Sequence, residues 1–198
     1  NKKEGEIMKS PLRYQITEFD CGTVSLINAI SYLYDREEIP SKLIRSIYVY
    51  TLDCHNTKGI MNDKEMIDDL CNWIVKYSSR NDFDLVCKHL TNSDVNYDNI
   101  LECIRNNGCA FVKCYQDDPH YTIITNINEL NTYMFDPYYM DFDSYDDDNE
   151  VRCVQSKPFE YNRIVRTDRV FSEETKDFCL GKISKRECVL MNRVRDGK

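Results

Sequence analysis

The spacing of apolar residues changes at Gly108, and this change constrains the fold more than any other feature of the sequence. Before it, apolar residues recur at helical spacing in segments that begin near Thr23, Ser41, Asn62 or Asp63, and Asn96. After it, β-branched and aromatic runs between turn residues predict strands over 109–115, 120–125 and 132–136, with later candidates over 162–166 and 188–191. This order predicts an α+β fold, with an N-terminal helical part packed on a C-terminal antiparallel sheet.

Local patterns add detail to this prediction. The helix from Asn96 should run to Asn106 and stop at Gly108, placed at the C′ position. Residues 84–87 predict a short strand, and 172–179 predict a helical segment. The aspartate run at 141–148 lacks the glycine and terminal glutamate of an EF-hand loop, which favours a solvated acidic loop over a calcium site. The aromatic residues of 133–145 could equally line a substrate cleft or fill the core.

The composition is that of an ordinary globular protein, with 41% apolar and 30% charged residues. We expect one domain over residues 1–198, with a core large enough to be stable unaided. The net charge of −8 argues against a nucleic-acid partner, because phosphate binding needs clustered Lys and Arg. No apolar run approaches the roughly 18 residues of a membrane span. No signal-peptide pattern follows the charged residues 1–6, so we expect a cytoplasmic protein, although the missing initial Met leaves export open.

The ten cysteines lie inside apolar helix and strand patterns, which is typical of reduced, intracellular proteins and not of disulfide scaffolds. A structural metal is not expected, since no C-x-x-C pair occurs. His55 and His89 also lack finger-like spacing from paired cysteines. No other cofactor is predicted.

One cysteine differs from the others in its setting. Cys21 is followed by Gly22 and then by the apolar pattern of a helix, and Gln15 lies six positions before it. The start of a helix offers unpaired backbone N–H groups and a partial positive charge, both of which stabilise a thiolate. Gln15 could turn its side-chain amide toward the same point. A sulfur nucleophile in an anion-favouring pocket is what acyl transfer requires.

A predicted hairpin supplies two partners for this thiol. His120 begins one strand, and Asp136 ends the next strand, after a loop at 128–131. Antiparallel pairing brings the start of the first strand beside the end of the second, so the two side chains should share one edge of the sheet. In such a triad Cys21 attacks a carbonyl, His120 moves the proton and Asp136 orients the imidazole. Gln15 and the Cys21 backbone N–H would bind the oxyanion.

These residues together resemble the motifs of the C39-like peptidases, a compact branch of the papain-like cysteine peptidases. The matching features are Gln15-x5-Cys21 within Asp20-Cys21-Gly22, a His at a strand start, and Asp136-Pro137 after the hairpin. The loop at Lys58-Gly59 and the helix after it are also similar. The resemblance implies a papain-like fold, a peptide or amide substrate, and the four roles given above. It covers about residues 14–140, and leaves 141–198 as a sheet extension or a lid.

Three functions remain open on the sequence alone. The first is peptide or amide hydrolysis through a Cys21 thioester, and the second is transfer of the same acyl group to an amine or another acceptor. The third is a non-catalytic peptide-binding domain on this fold. His55, beside Cys54, is a rival base, but no residue upstream of it resembles an oxyanion donor. The sequence does not address the oligomeric state.

Overall fold

The fold was analysed in a computed structural model, which describes residues 9–52 and 64–194. The predicted loop at 54–59, with His55, Lys58 and Gly59, lies outside the described residues, as does the predicted helix start at Asn62 or Asp63. None of the described helices combines the length and hydrophobicity that crossing a bilayer requires.

Five helices and seven strands make up the described chain. The helices are α1 Cys21–Leu33, α2 Ser41–Leu52, α3 Lys64–Arg80, α4 Tyr97–Arg105 and the single turn α5 Thr167–Val170. The strands are β1 Leu85–Thr91, β2 Cys109–Gln116, β3 Asp118–Ile127, β4 Asn131–Phe135, β5 Val151–Cys153, β6 Arg163–Arg166 and β7 Glu187–Arg193. Short 3-10 turns lie at Asn92–Asp94 and Ile183–Lys185. The α+β prediction is confirmed, and the papain-like fold stays a prediction.

All seven strands join one antiparallel sheet in the order β1-β7-β2-β3-β4-β6-β5. The two hairpins β2–β3 and β3–β4 form its centre, as the sequence predicts. The last strand, β7, lies between β1 and β2, so it joins strands that are about 100 and 80 residues away in sequence. The C-terminal third thus supplies β5 and β6 at one edge of the sheet and β7 in its interior.

The sheet separates two hydrophobic layers, because alternate residues of each strand point to opposite faces. On β2 and β3, Phe111 and Tyr121 pack with α1, α2 and α3 on one face, and their rings stack with centroids 4.8 Å apart. Val112 and Ile124 join the other face, where they pack with α4 and with Phe178 from the C-terminal third. Helix α1 has almost every residue buried, so it is a central helix and not a surface helix.

The end of α4 differs from the prediction in one position. Asn107, not Gly108, takes the left-handed conformation, with φ 58°. The N–H of Asn107 bonds to the carbonyl of Ile104, and the N–H of Gly108 bonds to the carbonyl of Cys103, which is the Schellman arrangement. Gly108 is required for another reason: a Cβ atom there would lie 2.7 Å from the Met191 carbonyl oxygen on β7.

Replacing Gly108 with alanine should therefore destabilise the protein by about 2–3 kcal/mol, the upper range for overpacking a core. The added methyl would also lie 2.6 Å from Cys103 Sγ and 2.2 Å from the Asn192 side chain, so a helix and a strand must separate. The free energy of unfolding in urea measures this loss. Asn107→Gly is the matched control in the same turn, and it should change stability by less than about 0.5 kcal/mol, because glycine accepts a positive φ. Equal effects of the two variants would contradict the close-approach argument.

The predicted helix at 172–179 is wrong, and the strand β5 was not predicted. The nearest helical turns lie on either side of the segment: α5, which ends at Val170, and the 3-10 turn Ile183–Lys185. The segment consists of bends and a turn with Phe178 at φ 67°, and it contacts β2 through two bonds: the N–H of Phe178 bonds to the Tyr115 carbonyl, and the N–H of Tyr115 bonds to the Cys179 carbonyl. The physical reason is that only Phe178 and Cys179 are apolar in the segment, so no helical face could be buried.

Candidate active site

Cys21 is the first residue of α1 and is 3% exposed. Asp20 takes the N-cap position, but its carboxylate turns backward and accepts the N–H groups of Ile16 and Thr17 at 3.3 and 3.1 Å. It makes no side-chain cap to the helix. The first backbone bond of α1 runs from the Val24 N–H to the Asp20 carbonyl, so the three N–H groups before it have no intrahelical acceptor. They remain available to an anion beside the thiol.

Buried polar residues of α1 fix the position of Cys21 against the sheet. Ser25, one turn along the helix, donates its hydroxyl to the Tyr121 carbonyl on β3 at 3.0 Å. Asn28 pairs with the backbone of Arg13: its Oδ1 accepts the Arg13 N–H at 2.8 Å and its Nδ2 donates to the Arg13 carbonyl at 2.9 Å. Because Tyr121 follows His120, the first bond places the nucleophile end of α1 next to the imidazole. The second holds the segment that leads to Gln15.

His120 lies near the start of β3, opposite Cys114 on β2, and is 7% exposed. Its Nε2 contacts Asp136 Oδ1 at 2.8 Å. Burial lowers the pKa of His120, but the hydrogen bonds to Asp136 and Cys21 outweigh it, and the pKa rises to about 10. The ring therefore carries a proton at neutral pH.

Asp136 follows β4 directly and is fully buried. Its Oδ1 accepts from His120 and from the backbone N–H of Tyr138, the latter at 2.9 Å. Its Oδ2 accepts from the Gln116 amide at 3.3 Å and forms an ion pair with Arg163 at 3.4 Å. The carboxylate is thus bonded on both oxygens, and this fixes the direction from which it meets the imidazole.

A second contact holds the backbone of the same residue. Asn162 accepts the Asp136 N–H on Oδ1 and donates from Nδ2 to the Asp136 carbonyl, both at 2.8 Å. Sequence analysis did not predict Gln116, Asn162 or Arg163. Gln116 precedes the turn before His120, so its place at this edge could have been inferred from the hairpin. Asn162 and Arg163 reach Asp136 only through the pairing of β4 with β6, for which the sequence has no local pattern.

Gln15 reaches the same edge of the sheet, but its amide has another partner. Its backbone N–H bonds to the Pro137 carbonyl at 2.8 Å, which ties the residue to the segment after Asp136. Its Nε2 donates to the Thr17 carbonyl at 2.8 Å, and its Oε1 is buried without a hydrogen-bond partner among the described residues. An amide nitrogen carries two N–H groups, so one of them remains for an oxyanion.

Several residues next to Gln15, Cys21 and Asp136 in the sequence have exposed apolar side chains. The loop that precedes Cys21 carries Ile16, which is 93% exposed, together with Phe19. Tyr14, next to Gln15, packs edge-on against Tyr139, with ring centroids 5.2 Å apart, and both remain substantially exposed. Of the predicted aromatic segment, Tyr139 thus lies at the surface and Tyr145 is half-buried against Phe178.

His89, the other described histidine, does not meet a described cysteine in this way. His89 contacts Glu187 through Nε2 at 2.9 Å and Asp68 through Nδ1 at 3.5 Å, so two carboxylates take both ring nitrogens. The hydrogen bond to Glu187 is the main reason that the pKa of His89 is raised. His55 lies outside the described residues. In the described parts of the chain no three His, Cys, Asp or Glu side chains are grouped so that they could hold a metal ion.

The remaining described cysteines are all buried, unpaired thiols. Burial is the first cause that raises the pKa of each of them: Cys71, Cys87, Cys103, Cys109, Cys114, Cys153, Cys179 and Cys188. They therefore stay neutral at physiological pH and are poor nucleophiles. Only Cys21 among the described cysteines has an imidazole as hydrogen-bond partner in this arrangement.

Comparisons with known proteins do not assign this chain to a family. No protein-family model matches it, and no match was found among curated proteins or among solved structures. The resemblance to C39-like peptidases accordingly stays a prediction from the motif residues.

Proposed function

We propose that this protein is a cysteine peptidase or amide hydrolase of the C39-like kind, which acts through a thioester on Cys21. The observation that carries the proposal is that His120 pairs with Asp136 at 2.8 Å, while the side chain of Cys21 is one of the groups that raise the pKa of the same ring. A protonated imidazole beside a thiol at a helix start favours the thiolate, because both the ring and the helix N-terminus stabilise negative charge there.

The proposed reaction has two stages. In the first, the Cys21 thiolate attacks the carbonyl carbon of the substrate. The oxyanion that forms accepts hydrogen bonds from the backbone N–H groups at the start of α1 and from the Gln15 amide. The imidazolium of His120 then protonates the leaving amine as the carbon–nitrogen bond breaks, which leaves a thioester. In the second, neutral His120 takes a proton from water as the water attacks the thioester. The carbon–sulfur bond then breaks, the carboxylic acid leaves, and the Cys21 thiolate is regenerated.

The rate of alkylation of Cys21 by iodoacetamide, measured against pH, tests this proposal. Cys21 lies on the tryptic peptide from Tyr14 to Arg36, which contains no other cysteine, so mass spectrometry follows this thiol alone. We expect alkylation to persist well below pH 8, because an ion pair with His120 keeps the thiolate in acid. A rate that follows a single titration near the ordinary thiol value of about 8.5 would overturn the catalytic proposal.

A peptide mixture then identifies the acceptor of the acyl group. Incubation of the protein with a defined peptide pool in water labelled with heavy oxygen should give products with label in the new carboxylate. Products that instead carry an added amine, when one is supplied, would mean acyl transfer through the same thioester. Peptides bound without any change, together with an ordinary Cys21 titration, would indicate a peptide-binding domain.

A further inference from the structure

Arg163 is a buried cation beside the candidate triad. It is the first residue of β6 and is 3% exposed. One terminal nitrogen lies 3.4 Å from Asp136 Oδ2 and donates to the Tyr138 carbonyl at 3.3 Å, while the other donates to the Asn162 carbonyl at 3.0 Å. Two backbone carbonyls, those of Tyr138 and Asn162, therefore hold the guanidinium beside the carboxylate.

The charges around Asp136 show why this cation matters. Two described titratable groups contact Asp136, His120 on β3 and Arg163 on β6, and its charge also acts on Cys114 on β2, Cys153 on β5 and Tyr145 in the segment after β4. Burial raises the pKa of Cys114, Cys153 and Tyr145, so these three are neutral near pH 7. His120 is already paired with the Cys21 side chain. Among the described residues, Arg163 is the cation that pairs with Asp136 besides the His120 imidazolium, and a guanidinium stays charged at every working pH.

We propose that Arg163 is a positioning residue: its guanidinium compensates the buried charge of Asp136 and so keeps an ionised carboxylate opposite His120. This inference rests on the proposed function, because it acts through the Cys21–His120 pair. A buried carboxylate that loses its cation takes up a proton more readily, since burial disfavours the charged form. A protonated Asp136 supports the imidazolium less well, and the thiolate is then lost at a higher pH.

Alkylation of Cys21 against pH tests the proposal in four variants: Arg163→Met, Arg163→Lys, Asp136→Asn, and Asp136→Asn with Arg163→Met. The acid limb of the profile is the pH range over which the alkylation rate falls as the solution becomes more acidic. In Arg163→Met this fall should occur at a pH about one unit higher, while rates near pH 8 stay within about twofold of the wild type. Arg163→Lys retains the charge and should recover at least half of the shift. In the Asp136→Asn background, Arg163→Met should add no further shift, because no carboxylate is left to titrate.

Arg186→Met is the matched control for the loss of a buried arginine. Arg186 is 6% exposed, and its guanidinium donates to the backbone carbonyls of Gly181, Val95 and Phe171. This variant should be destabilised without any shift of the acid limb. A rate that falls equally at all pH values in Arg163→Met, or a shift that persists in the Asp136→Asn background, would overturn the role of Arg163. If Arg163→Met does not fold, the Arg163→Lys variant decides instead. An Arg163→Lys profile identical in shape to that of Asp136→Asn would overturn the role of Arg163.

The same measurements separate this inference from the proposed function. A wild-type profile that resembles a free thiol removes the proposed function and the inference with it. A wild-type profile with an acid limb well below pH 8, combined with an unmoved limb in Arg163→Met, removes only the inference.

Discussion

Cys21→Ser should abolish turnover of any peptide that the wild type cleaves, with a loss on the order of 10⁴-fold or more. The hydroxyl of serine is not ionised by an adjacent imidazolium, so the first bond to the carbonyl carbon cannot form at a useful rate. Serine is close in size to cysteine, and Cys21 is a single buried residue at the start of α1. The free energy of unfolding should therefore fall by no more than the roughly 1–3 kcal/mol that a buried hydroxyl without a partner costs, and mass spectrometry of the peptide pool measures the lost turnover.

Cys71→Ser is the matched control for this variant. Cys71 is also a buried, unpaired thiol on a helix, and burial raises its pKa to about 12. Its replacement should cost a similar amount of stability and leave turnover unchanged. Cleavage that survives in Cys21→Ser, or that is lost equally in Cys71→Ser, would contradict the assignment of the nucleophile.

The second large effect is expected from His120→Asn. The variant removes both the cation that stabilises the thiolate and the donor that protonates the leaving amine. The alkylation profile of Cys21 should collapse to a single titration near the ordinary thiol value of about 8.5, with a rate at pH 5 at least about tenfold below the wild type. Turnover should fall by on the order of 10³-fold or more, since members of a triad act as a unit.

The wild type should also lose turnover in alkali, which is a separate consequence of the same ring. The pKa of His120 is raised to about 10, so the imidazolium persists through neutral pH and is lost as the pH rises toward that value. The leaving amine then has no acid. His89→Gln is the matched control, since His89 is likewise paired with a buried carboxylate, Glu187. That variant should alter stability but leave both limbs of the wild-type profile in place; movement of either limb would place His89 in the site instead.

The sequence predicted those parts of the site that depend on local pairing. A hairpin brings the start of β3 beside the end of β4 whatever else the chain does, so the contact between His120 and Asp136 needed only the position of one loop. The start of α1 at Cys21 followed from the apolar spacing after it. These two predictions rely on contacts within about 16 residues, or on periodicity, and both are properties of the chain itself.

The surroundings of Asp136 could not be predicted in the same way. Asn162 is 26 residues from Asp136 in the sequence, and Arg163 follows it directly. Nothing in the sequence around Arg163 distinguishes an arginine in a buried ion pair from a solvated one. Gln15 shows the same limit at longer range in sequence: its place near Asp136 depends on the Pro137 carbonyl, and its amide turns to Thr17. Such directions depend on which acceptors the tertiary fold leaves open.

The amino-acid sequence by itself determined the α+β class, the central hairpins and the pairing of a histidine with an aspartate at one sheet edge, because short-range spacing decides these features. Only the tertiary structure decided that β7 lies between β1 and β2, that Ser25 ties the nucleophile helix to the strand of His120, and that a buried arginine faces the carboxylate. The physical reason is that these contacts join residues far apart in the chain. Their free energy comes from burial and charge pairing in the assembled core, and no local pattern records it.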